Sequence, residues 1–214
     1  MTDPAAPHAP QPDRVPAPAS VTARLHSDID ADLTRAAADP DGFWLEQAQG
    51  YEWTRVPTQG LGGPQANSTG PEFTWFADGE TNITVNALDR HARGAARTRA
   101  ALIWLPETGE PTVYTYGMLL TAVERAAAGL RHLGVGPGDR VVIYMPLTPE
   151  GAIAMLACAR IGAVHSVVYA GLGVSALRDR IADAGARVVI TADVGYRRGK
   201  LVDLYACLLY TSPS

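Results

Sequence analysis

Three apolar runs dominate the second half of the chain: RVVIYM (140–145), HSVVYA (165–170) and RVVITA (187–192). Each is short, rich in β-branched residues and free of polar alternation, the pattern of strands buried on both faces. Between them lie PEGAIAMLACARIG and VSALRDRIADAG, apolar at helical spacing and each closed by glycine. Strand, helix, strand, helix, strand predicts parallel strands joined by βαβ crossovers. Right-handed crossovers bring the carboxyl ends of all three strands to one edge of the sheet.

Upstream, ALIWL (101–105) and TVYTY (112–116) flank the turn PETGEP and predict a hairpin. Thr115 then caps a helix over 116–133, with Leu119, Val123, Ala126, Leu130 and Leu133 on its apolar stripe and Gly134 at the C′ position. Before residue 88 the pattern weakens. Ser27 is placed to cap a helix through DIDADLTRAAA, and Asp41 to cap a second one carrying Phe43, Trp44 and Ala48 on one side. VPTQGLGGPQANSTGPEF (56–73) has the composition of a loop, and TWFADGETNITVNALDRHA follows as an aromatic patch. Residues 1–21 are proline- and alanine-rich without periodicity and are expected to be disordered. The fold class is therefore α/β, a partial parallel sheet preceded by a mostly helical and loop extension with no core of its own.

One stretch, AIAMLACARIGAVHSVVYAGLGV (152–174), is long and apolar enough to suggest a membrane span. Arg160 and His165 in its middle, and the glycines that break it, favour a buried helix followed by a buried strand. A net charge of −4 over 214 residues offers no basic face to nucleic acid, so any polyanion must dock at a local site. Cys158 and Cys207 lie far apart, and the start MTDPAAPHAPQPDR has acid and proline where a signal peptide needs an apolar core. The expectation is a reduced, cytoplasmic protein.

The loops at the strand ends hold the candidate chemistry, since ligands of such sheets bind beyond the carboxyl ends. ADVGYRRGK (192–200) gathers Arg197, Arg198 and Lys200 around Gly199, and Lys200 is the only lysine of the chain. Arginine forks match phosphate oxygens and a lysine adds a point charge, while Gly199 lets the backbone approach closely. A solvated basic loop accounts for the same residues. A second pattern, Gly171-Leu-Gly173-Val-Ser-Ala176, fits G-x-G-x-x-A between strand and helix, with Asp193 positioned 22 residues after Gly171 as a ribose-binding acid. It equally describes an ordinary strand-to-helix turn. His165 is expected buried and hydrogen-bonded, Glu150 is a first-turn acid favouring its helix dipole, and His91 and His132 lack partners at metal spacing. No G-x-S-x-G elbow and no G-x-x-x-x-G-K-[ST] loop occurs.

The block GVGPGDRVVIYMPLTPEGAIAMLACARIGAVHSVVYAGLGVSALRDRIADAGARVVITADVGYRRGK closely resembles the acetyl-CoA synthetase family, the AMP-forming short-chain acyl-CoA ligases. WFADGETNITVNALDRHA and ALIWLPETGEPTVYTYGMLL resemble that family's N-terminal region and first strands, and the likeness runs from about Ile29 to Leu204. The resemblance implies that ATP and acetate or propionate form an acyl-adenylate with magnesium's help, and that coenzyme A then takes the acyl group. It assigns Arg197, Arg198, Gly199 and Lys200 to the phosphorylated end of coenzyme A, and Tyr169, Ala170 and Gly171 to its neighbourhood. It implies small-molecule partners only, with neither nucleic acid nor membrane. The expected organisation is a tail over 1–22, an extension over 23–87 and part of the ligase domain over 88–204. Residues 205–214, ending CLLYTSPS, depart from the family pattern and are expected to be non-native. No catalytic residue is expected in this chain, and the ATP and magnesium sites are expected outside it, so the isolated chain should be inactive. Two alternatives stay open: a stand-alone coenzyme A or nucleotide-binding module, and an NAD-binding module built on Gly171, Gly173 and Asp193.

Overall fold

In the computed structural model, which describes residues 18–23, 28–67 and 70–210, helices open the chain. Ser27, most of the proline-rich start and residues 211–214 lie outside the described residues. A short turn of helix, α1 (Ala19–Thr22), precedes α2 (Ile29–Ala38). The cap of α2 is Asp28, whose carboxylate accepts from the amides of Asp30 and Ala31. In α3 (Pro40–Ala48) the cap is Asp39, accepting from Gly42 N at 2.9 Å, and not Asp41. Pro40 explains the shift, because proline is suited to the first helical position and makes the residue before it the cap. Asp41 instead accepts from the amides of Gly60 and Leu61, both at 2.8 Å, tying α3 to the next segment.

That segment is not the expected loop. Two strands, β1 (Leu61–Asn67) and β2 (Gly70–Trp75), pair antiparallel there, with a register shift between Gly62 and Gln65. A backbone ladder needs no apolar alternation, which is why composition hid it. Trp75 meets the edge of Trp44 on α3, ring centroids 5.9 Å apart. A π-helical turn over Val85–Asp89 then carries Leu88 into the main core and runs into α4 (Arg90–Arg93) and a 3₁₀ turn (Ala95–Thr98).

The expected hairpin follows as β3 (Ala100–Trp104) and β4 (Thr112–Thr115). Next comes α5 (Tyr116–His132), capped by Thr115 through Met118 N, with Gly134 at φ 80° beyond its end. The three apolar runs become β5 (Arg140–Tyr144), β6 (Val164–Val167) and β7 (Val188–Thr191), separated by α6 (Pro149–Arg160) and α7 (Val174–Ala184). All pairings are parallel and the order is β6-β5-β7. β5 is central, and its alternate residues feed two cores. Val141 and Ile143 pack with Leu119, Val123 and Ala127 of α5 and with Ala157 and Cys158 of α6. Val142 and Tyr144 pack with Val168, Leu177 of α7 and Leu204. The central strand is thus covered on both faces, as a parallel sheet requires of its interior.

Both flanking strands are edges of this sheet, and one expectation fails there. His165 lies on β6 and is exposed, not buried, because no strand covers that side of β6 among the described residues. Arg140, which opens β5, donates to the carbonyls of Ala184 and Gly185 at the C-terminus of α7. The last elements are β8 (Val194–Arg197), β9 (Lys200–Asp203) and α8 (Leu204–Leu209).

The N-terminal part is bolted to this unit by polar contacts. Asn82 donates to the carbonyls of Ala159 and Arg160 at the end of α6. The Arg160 guanidinium grips Asp89 with two bonds, 2.8 and 3.0 Å, and reaches Glu124 of α5 at 3.3 Å. Hydrogen bonding to Asp89 pushes the Arg160 pKa up against the effect of burial. The arginine that argued against a membrane span is therefore an internal clamp. Among the described residues no helix is long and apolar enough to cross a membrane.

Candidate functional site

The carboxyl ends of β5, β6 and β7 open into a cleft of about 650 Å³, the size class of small-ligand sites. Its walls are mostly apolar, with Trp104, Leu147, Val168 and Tyr196 among them. The Trp104 indole donates to Leu147 O at 2.9 Å, which pins the loop after β5 to the end of β3. Thr148, in the same loop, has its Oγ1 buried without a hydrogen-bond partner among the described residues. The Tyr144 hydroxyl donates weakly to the carbonyls of Ala170 and Leu172, both at 3.4 Å, so the central strand steadies the glycine turn after β6. Burial, with the nearby Cys207 thiol adding to it, pushes the Tyr144 phenol up to about 12.

ADVGYRRGK, read as a loop beyond the third strand, is largely a hairpin. β8 and β9 pair antiparallel with Arg197 opposite Lys200, leaving Arg198 and Gly199 as a two-residue turn at φ 53° and 72°. Both central residues of such a turn must adopt positive φ, the geometry that matches the strand twist. Glycine takes that conformation freely; arginine does not. The hairpin crosses the loop after β5 closely: a Cβ on Gly195 would lie 3.1 Å from Pro146 Cβ.

Tyr169, Ala170, Gly171 and Arg197, four of the seven residues expected near coenzyme A, line this one cleft. The Arg197 guanidinium lies over the Tyr169 ring, 5.2 Å from its centroid. Gly171 makes room for that stack, since a Cβ there would sit 2.5 Å from Tyr169 Cε1 and 2.8 Å from Arg197 Nη1. Arg198, Gly199 and Lys200 stand at the exposed hairpin tip, outside the cleft lining. Gly199 supplies the second positive φ of the turn, and its backbone is engaged within the chain. Its amide, and that of Arg198, donate to the two oxygens of Glu107 at 2.9 and 2.8 Å. These bonds, Gly199's first, hold the Glu107 carboxyl below its ordinary range. Sequence reasoning passed over Glu107 as part of a hairpin turn, and nothing local marks it.

The dinucleotide pattern fares differently. β5 separates β6 from β7, so Gly171 and Asp193 follow strands about 10 Å apart and not the adjacent pair that fingerprint uses. Asp193 is exposed and bonds locally, accepting from the amide of Val194 through its carboxylate and from those of Leu204 and Tyr205 through its carbonyl. Among the described residues no group of three or more His, Cys, Asp or Glu is placed to hold a metal. Glu107, the one carboxylate lining the cleft, has both oxygens engaged, so these residues do not fit a magnesium ion.

A parallel α/β sheet with a cleft at its strand ends and cations beside that cleft is an arrangement shared by many proteins with small-molecule sites. The chain belongs to the AMP-binding enzyme family, whose model matches residues 88–209, and residues 29–87 match the acetyl-coenzyme A synthetase N-terminus. It is 48% identical over 169 residues to the acetyl-coenzyme A synthetase of Gemmatimonas aurantiaca, covering 79% of this chain and 25% of that protein. Against the acetyl-coenzyme A synthetase of Deinococcus radiodurans it is 52% identical over 165 residues, 77% of this chain and 25% of the relative. Against the 3-hydroxypropionyl-coenzyme A synthetase of Sulfurisphaera tokodaii it is 51% identical over 175 residues, 79% and 25% of the two chains. The chain thus spans about a quarter of the length of these curated relatives.

Proposed function

We propose that this chain supplies part of the coenzyme A site of an AMP-forming short-chain acyl-CoA ligase, with acetate or propionate as the acid. The whole reaction joins ATP and the carboxylate into an acyl-adenylate, releases pyrophosphate, and passes the acyl group to coenzyme A with release of AMP. The observation that carries this reading is the meeting of Tyr169, Ala170 and Gly171 with Arg197 along one apolar cleft whose neighbouring hairpin tip adds Arg198 and Lys200. An elongated ligand with an apolar arm and a phosphorylated end suits that division. Its arm lies in the cleft, and its phosphates meet the guanidinium forks and the Lys200 ammonium. Gly199 provides the turn that presents them.

The parallel strands then belong to the large domain of an adenylate-forming enzyme, with right-handed crossovers and residues 88–204 as the part present here. A cytoplasmic setting is part of the same proposal, supported by the two free thiols, Cys158 and Cys207. Magnesium and ATP enter through groups other than those described, and no residue of this cleft is assigned to adenylation.

Calorimetric titration of the chain with coenzyme A, dephospho-coenzyme A and NAD tests the reading. Saturable binding of coenzyme A, weaker binding of the dephospho form and no acyl-CoA formation from ATP and acetate are expected. NAD binding at least as tight as coenzyme A, or acyl-CoA turnover by the chain alone, would overturn it.

A further inference from the structure

A two-stranded hairpin is marginal in water unless something holds it. The base of β8–β9 is held by the backbone of Asp193 and by the contact of Gly195 with Pro146. Among the described residues its tip is held by one side chain, Glu107, more than 90 residues earlier in the chain on the loop between β3 and β4. The turn aims two successive amides the same way, a concavity that attracts an anion. In this structure that anion is a carboxylate of the chain itself.

We propose that Glu107 is the positioning residue of the basic hairpin. By accepting from Arg198 N and Gly199 N it fixes the tip beside the cleft and reserves the backbone donors of the turn. A phosphorylated ligand is then met by the side chains of Arg197, Arg198 and Lys200 and not by the turn's amides. The proposal rests on the coenzyme A reading above. Three cations against one carboxylate keep the tip positive, so Glu107 does not cancel the field it organises. The same clamp sets the direction of β8, and with it the seat of the Arg197 guanidinium over Tyr169.

Electrostatics alone gives the opposite sign, which makes the test sharp. If Glu107 were merely a negative charge near an anionic ligand, Glu107→Gln would tighten coenzyme A binding. As a positioning residue its loss weakens binding. The experiment uses the 214-residue chain with Glu107→Gln, Glu107→Asp and, as a control on the same loop, Glu110→Gln. Amide exchange at Arg198 and Gly199, read by NMR without ligand, should speed by about tenfold or more in Glu107→Gln. Glu107→Asp should fall between, and Glu110→Gln should match the parent. Coenzyme A affinity should drop by about fivefold in Glu107→Gln and recover in part with aspartate. Unchanged exchange in both Glu107 variants, or faster exchange with tighter binding, overturns the proposal. If the parent chain fails to bind coenzyme A, the ligand reading falls, and exchange still decides whether Glu107 holds the tip.

Discussion

Replacing Arg198 with asparagine separates what the hairpin needs from what a ligand needs. Arg198 sits at φ 53°, a conformation that costs a non-glycine L-residue about 1 kcal/mol or more. Asn-Gly is the pair such two-residue turns favour. If folding alone governed the position, arginine would be a poor choice. Arg198→Asn should keep the turn, keep both amides on Glu107, and stabilise the chain by roughly 0.5–1 kcal/mol, about 1–3 °C in Tm. The same change removes one guanidinium from an exposed tip. A charge-assisted phosphate contact is worth about 1.5–3 kcal/mol when sheltered, and solvent screening reduces it to about 1 kcal/mol here. Coenzyme A binding should therefore weaken about fivefold, and the gap between parent and variant should close in roughly 0.5 M salt. Thermal unfolding and calorimetric titration of both chains read the two effects. A variant that unfolds earlier would refute the turn geometry; one that is equally tight at low salt would refute the role of Arg198.

Other consequences follow from single contacts. Asp89→Ala leaves the Arg160 guanidinium, 24% exposed, without its main partner and should cost about 2–4 kcal/mol in urea unfolding, loosening residues 29–87 first by hydrogen exchange. Gly171→Ala should leave Tm nearly unchanged, because the colliding atoms are side-chain ends, yet displace the Arg197–Tyr169 stack and weaken coenzyme A binding several-fold, about 1 kcal/mol. Asp78 has its carboxyl held below the ordinary range by the hydroxyl and then the amide of Thr58. Its folded pKa is depressed, so its contribution is complete above about pH 4 and is lost as pH falls through the lowered value. Protection of the Thr58 amide, its exchange rate relative to the intrinsic rate at each pH, should fall only below about pH 4, and Thr58→Val should erase most of that dependence.

The parts of the fold legible in the sequence are those that physics writes locally. Val141 to Tyr144 form an unbroken apolar run because both faces of β5 are covered, so strand and parallel class could be read together. Thr115, Gly134 and Gly185 mark helix ends by side-chain capping or positive φ, also local properties. β1 and β2 escaped notice because a hairpin paired through its backbone leaves no apolar rhythm. His165 was misplaced because its exposure depends on β6 lying at a sheet edge, a fact of strand order and not of residue type. At the site, the basic residues and the glycine turn were visible as motifs, whereas the meeting of Arg197 with that turn in one cleft depends on strand order and sheet pairing. Glu107 was invisible, since its meaning arises only when a loop from one hairpin reaches the turn of another.

On the proposed reading, the cleft and the basic hairpin form one binding surface for coenzyme A. Chemical-shift mapping of the isotopically labelled chain during coenzyme A titration tests it most directly. Saturable shifts are expected at 169–171 and 197–200 together, with one dissociation constant, and none of comparable size on addition of NAD. Shifts confined to the hairpin, or centred on Gly173 and Asp193 with NAD, would contradict it.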